Sequence, residues 1–169
     1  MNRWVRRILI VLEIGGGFTG LSLTLASLES AMNMPAHAVV GLGLFACVFL
    51  FGIVSGLALA DRLGIGIVLS AIYQTLQIPI VSSSSVSYKL FSGVQVGLQW
   101  RGGGPGLTFD CGARSFLGWM HEDPFQIGIN VLALGLLLYL LTVRPEGKSL
   151  GHDDNAGTVL DVAGRNSAP

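Results

Sequence analysis

From Ile8 to Leu28 the chain is almost wholly apolar and holds a single charged side chain, Glu13. A bilayer core about 30 Å thick needs about 20 mainly apolar residues per helix. Three further stretches meet that length, from about Ala36 to Ala60, Leu63 to Val81 and Pro124 to Val143. Runs this long exceed the single strands of a compact domain, and lipid favours helices, whose backbone groups bond internally. The expected fold is therefore membrane all-α: an antiparallel four-helix transmembrane bundle with a small extracytoplasmic β-hairpin between helices three and four. Composition points the same way. Of 169 residues, 51% are hydrophobic, 12% charged and 24 are glycine, against about 25% charged and about 7% glycine in soluble domains. Ten basic residues balance ten acidic ones, which excludes a basic nucleic-acid binder.

Basic residues at the span ends set the expected orientation. Arg3, Arg6 and Arg7 precede span one, Arg62 sits in the turn after span two, and Arg144 and Lys148 follow span four. Lys89, Arg101 and Arg114 are spread along the opposite side, offset by Asp110, Glu122 and Asp123. This places both termini in the cytoplasm, in a bacterial-type inner or plasma membrane. Trp4 and Tyr139 would anchor the inner interface, Trp119 and Phe125 the outer one. The same arginines before an apolar run also describe a secretory signal, with Thr24-Leu25-Ala26 as its cleavage site, but the run is long for a signal.

Outside the spans, 1–7 and 144–169 read as a cytoplasmic N-terminus and a disordered tail. The segment 82–123 reads as strand. Apolar residues alternate at Val86, Tyr88 and Leu90, then at Val94, Val96, Leu98 and Trp100, with Gln95, Gly97, Gln99 and Arg101 between them. That is the period of a half-buried strand. A loose five-residue loop from Gly102 to Gly106 would close the hairpin, and Leu107, Phe109 and Cys111 resume the alternation. Phe116, Leu117, Trp119 and Met120 look interfacial. Asp123-Pro124 is a good helix start, with a capping acceptor and proline at the first helical position.

Glu13 is the leading candidate for chemistry, because an ionisable group inside lipid is a functional hypothesis by default. Gly16, Gly17, Gly20, Thr24 and Ser27 follow it at helical spacing. On span three, Gly66, Ser70, Gln74 and Gln77 share one face with Tyr73 beside them, and Pro79 should kink the outer end. If the faces meet, Ser70, Gln74 or Arg62 would satisfy Glu13, and Gln77 would meet Asn130 of span four. The plainer reading is packing. Small residues let helices approach and polar ones bridge them, and Gly16-x-x-x-Gly20 and Gly52-x-x-x-Gly56 are signals of this kind.

Other residues say less. His121-Glu122-Asp123 are consecutive, His152-Asp153-Asp154 lie in the tail, and His37 stands at the mouth of span two. None makes a metal centre without a second cluster. Cys111 lacks an activating neighbour other than Arg114, and the glycine run lacks the lysine and helix of a phosphate loop. No cofactor is expected. The function expected is that of a non-enzymatic accessory, assembly or structural subunit acting through helix packing in the lipid bilayer. It would pair with a membrane-protein partner or with itself. The alternative is a small transporter or channel using the Glu13 face.

Overall fold

A computed structural model of the chain describes residues 1–31, 36–83, 86–119 and 125–143. Helices α1 (Arg3–Ala31), α2 (Ala36–Asp61) and α3 (Leu63–Gln77) lead into strands β1 (Pro79–Ser82), β2 (Val86–Arg101), β3 (Gly104–Trp119) and β4 (Gln126–Asn130), and α4 (Val131–Thr142) follows. The four-helix transmembrane bundle is thereby overturned. Among the described residues only two helices, over Arg3–Ser27 and Ala38–Asp61, are long and apolar enough to cross a membrane. With 15 and 12 residues, α3 and α4 rise only about 22 and 18 Å, short of the hydrocarbon thickness.

The missing length went into strand. Pro79 does not kink a helix. Helix α3 ends at Gln77; Ile78 keeps helical dihedrals, and Pro79, which has no N–H to continue the ladder, opens β1. Span four likewise gives up Gln126–Asn130 to β4, so the helix starts seven residues after the expected Pro124 site. Asn130, not Asp123, is its N-cap, with Oδ1 accepting from the Ala133 N–H at 3.3 Å. Asp123, Pro124, the 121–123 cluster, Met120 and the tail from 144 onward lie outside the described residues.

The sheet closes on itself. Strand β4 pairs antiparallel with β1 and with the end of β2 (Gly97↔Asn130 to Arg101↔Gln126), while β1 also pairs antiparallel with the start of β2 (Ile80↔Lys89). Three mutually antiparallel strands cannot all be straight, so β2 must turn between those two segments. The turn falls where Gly93 pairs with Gly112 across the β2–β3 hairpin, at φ +91° and +120°. That backbone is open to glycine and strained for other residues. The hairpin loop is also tighter than expected. Gly104, Pro105 and Gly106 belong to β3, and only Gly102 and Gly103 make the turn.

Two apolar clusters hold the parts together. Leu9, Leu59, Ile67 and Leu140 join all four helices, and Phe45, Phe49 and Leu90 join α2 to the sheet, with Leu21 of α1 packed against them. In the hairpin's second half the polar face is the one turned inward. Gln95, Gly97 and Gln99 are buried, whereas Leu98 and Trp100 on β2 and Leu107 and Phe109 on β3 are exposed. The alternation marks strand by its period and leaves open whether the apolar face meets helix ends, membrane or a partner.

Candidate functional site

Between the two apolar clusters lies a polar layer centred on Glu13, which is 1% exposed. Oε2 of Glu13 accepts from Ser55 Oγ of α2 and from Ser70 Oγ of α3, both at 2.9 Å, and the two hydroxyls are 3.2 Å apart. Oε1 accepts from Gln74 Nε2 at 3.3 Å. One carboxyl group thus ties three helices. Among the described residues no basic side chain pairs with it. Arg62 instead contacts exposed Asp61 at 3.6 Å.

Small residues make this approach possible. Gly56 of α2 leaves room for Ile14 and Glu13, Gly52 for the Tyr73 ring and Gly20 of α1 for the Phe49 ring, and a methyl group at any of them would overlap those neighbours. Gly16 has a different partner from the expected helix. It faces Ser92 and Gly93 of β2, where a Cβ would lie 2.2 Å from Ser92 Oγ. Helix α1 therefore seats in the bend of the hairpin.

The bend leaves the Ser92 N–H without a strand partner, and Gln77 Oε1 of α3 accepts it at 3.0 Å. Gln77 and Asn130 do not bond each other. Both line an enclosed cavity of about 10 Å³ with Glu13, Gln74 and Ser92, about the size that holds one water molecule. Two of its lining residues, Ser92 through Oγ and Asn130 through Nδ2, bring buried polar atoms that have no hydrogen-bond partner among the described residues. Gln99 of β2 is also buried, its Oε1 accepting from Arg101 Nη2 at 3.2 Å and from Gln126 Nε2.

By sequence Ser70 stands nearly level with Glu13, Gln74 one turn further, and Gln77 with Asn130 in a second contact; all five side chains belong to this layer. Ser55 was missed, although its position between Gly52 and Gly56 puts it on their helix face. Ser92, Gln95 and Gln99 were missed because polar residues on a strand read as the watered face. Arg6 was read only as an orientation charge, yet its guanidinium donates to the Leu59 carbonyl at 2.9 Å and to that of Ala60. It thereby satisfies end carbonyls of α2.

Comparison of the chain with protein-family models, curated proteins and solved structures gives no match.

Proposed function

We propose that the chain is a membrane-embedded accessory or assembly subunit, anchored by the α1–α2 hairpin and acting by contact with a membrane-protein partner or a second copy rather than by catalysis. The observation that carries this reading is the inverted sheet. Gln95 and Gln99 point inward while Leu98, Trp100, Ile127 and Ile129 face out, the opposite of a strand pair built to face water on one side. Helices α1 and α2 follow the same rule, with Val11, Phe18, Val40 and Val54 more than half exposed and Glu13, Thr24 and Ser55 buried. Large exposed apolar surface marks contact with membrane or protein.

The orientation read from the arginines is kept in this proposal. Met1 and Val143 pack against the same apolar cluster, so the N-terminus and the end of α4 share one side with Arg3, Arg6, Arg7 and Arg62. By the positive-inside rule that side is cytoplasmic. The test is site-specific photocrosslinking in the native membrane from Trp100 and Phe109, with Leu57 of α2 as comparison. Discrete protein adducts from the two sheet positions but not from Leu57 support the reading. Lipid adducts alone from all three contradict it.

One observation favours a second reading, proton movement: the partnerless Ser92 Oγ and Asn130 Nδ2 belong to residues lining the same small cavity as Glu13. Proteoliposomes showing pH-driven flux that Glu13→Gln abolishes would replace the first reading with this one.

A further inference from the structure

All three basic side chains of the described sheet line one open cavity. Lys89 near the start of β2, Arg101 at its end and Arg114 of β3 surround about 490 Å³ together with the hydroxyls of Ser82, Ser87 and Ser115. Lys89 pairs with Phe116 and so lies diagonally across the hairpin from Arg114, whereas Arg101 is at the far end of β2. The bend at Gly93 and the closure of β1 and β4 onto β2 bring Arg101 to the other two. The cavity opens at the end of the closed sheet away from α3 and α4, where Ser82 pairs with Ser87 and Arg101 with Gln126.

Among the described residues the charge here is not balanced. Asp110 is the one acidic residue of the described sheet, and it engages Lys89 at 3.2 Å. Among the described residues neither Arg101 nor Arg114 has a carboxylate partner. Ser82 and Ser87 share one hydrogen bond of 3.0 Å and both line the cavity. Two guanidinium groups, whose planar forks match phosphate oxygens, with hydroxyl donors beside them make a receptor for a group bearing more than one anionic oxygen. The volume falls within the roughly 300–1,000 Å³ of small-ligand sites. Ile80, Val81 and Phe116 supply an apolar wall on which the neighbouring carbons of such a ligand can rest.

We propose that this cavity binds a phosphate group, presented by a phospholipid headgroup or as free phosphate. The test uses the full chain in an uncharged detergent, titrated calorimetrically with monomeric short-chain phosphatidylglycerol and, separately, with inorganic phosphate. Arg101→Gln and Arg114→Gln are compared with Arg62→Gln, which changes an exposed arginine outside the cavity. Arg114 is exposed and makes no hydrogen bond among the described residues, so its variant keeps the fold. The expected result is that at least one probe binds, about tenfold more weakly in each cavity variant and unchanged in Arg62→Gln. Binding of the lipid without competition from phosphate identifies a headgroup, and equal binding of both identifies free phosphate. Binding of neither probe, or an equal loss in Arg62→Gln, overturns the proposal.

Discussion

The Ser70 hydroxyl donates to Glu13 Oε2 at 2.9 Å and so joins α3 to α1 across 57 positions of sequence. Ser55 reaches the same oxygen from α2. Removing the carboxyl group strands all of these donors at once, whereas an amide of the same shape can still accept from the hydroxyls. Glu13→Ala should therefore lose about 2 kcal/mol, from unsatisfied buried donors at about 1–3 kcal/mol each moderated by the weaker hydrogen-bond energies typical of membrane interiors. Glu13→Gln should lose clearly less. Thermal unfolding of the two variants in detergent orders them.

Glycines divide sharply by surroundings, which makes a controlled series. A Cβ on Gly20 would stand 2.3 Å from the Phe49 ring and one on Gly52 2.4 Å from Tyr73, while Gly15, Gly41 and Gly43 have nothing within 4 Å. Gly20→Ala and Gly52→Ala should each destabilise by about 1–3 kcal/mol through overpacking. Gly15→Ala and Gly43→Ala should be neutral or stabilise by up to about 1 kcal/mol through helix propensity. Unfolding midpoints across the four variants check the division.

The bend of the hairpin predicts a graded pair. Gly112→Ala meets no neighbour and carries only the penalty of positive φ, about 1–2 kcal/mol. Gly93→Ala carries that penalty and adds a Cβ 3.0 Å from Leu12 Cδ2 and 3.2 Å from the Leu12 carbonyl. Gly93→Ala should be the more damaging of the two in the same unfolding assay.

Arg6 offers a test of helix capping across the α1–α2 hairpin. Its guanidinium holds the carbonyls of Leu59 and Ala60, so Arg6→Met should cost about 1–3 kcal/mol by removing a charged donor. Arg3→Met, at an exposed position, should stay within about 0.5 kcal/mol of the parent. Hydrogen exchange at the end of α2 should rise in the Arg6 variant alone.

How much of this was legible in the residues follows from their periodicity. The long runs of α1 and α2, the polar stripe of Glu13, Ser70 and Gln74, and the strand period of Val86–Arg101 are all carried by local spacing. The short strands were not, because Pro-Ile-Val-Ser and Gln-Ile-Gly-Ile-Asn are too brief to separate from helix ends when apolar residues continue beyond them. The alternation of Gln126, Gly128 and Asn130 with Ile127 and Ile129 was the available signal. Which strand face turns inward depends on what surrounds the sheet, and local pattern does not contain that. The β2–β3 register already makes Lys89 and Arg114 neighbours, and the arrival of Arg101 beside them depends on the closure of β1 and β4 onto β2, a long-range pairing with no local trace.

The central claim is that the apolar exterior of α1 and α2 sits in a bilayer around a polar interior. Alkaline carbonate extraction of native membranes containing the full chain tests it most directly. The account predicts that the chain stays with the membrane pellet and is released only by detergent. Recovery in the carbonate supernatant as a folded species would contradict it.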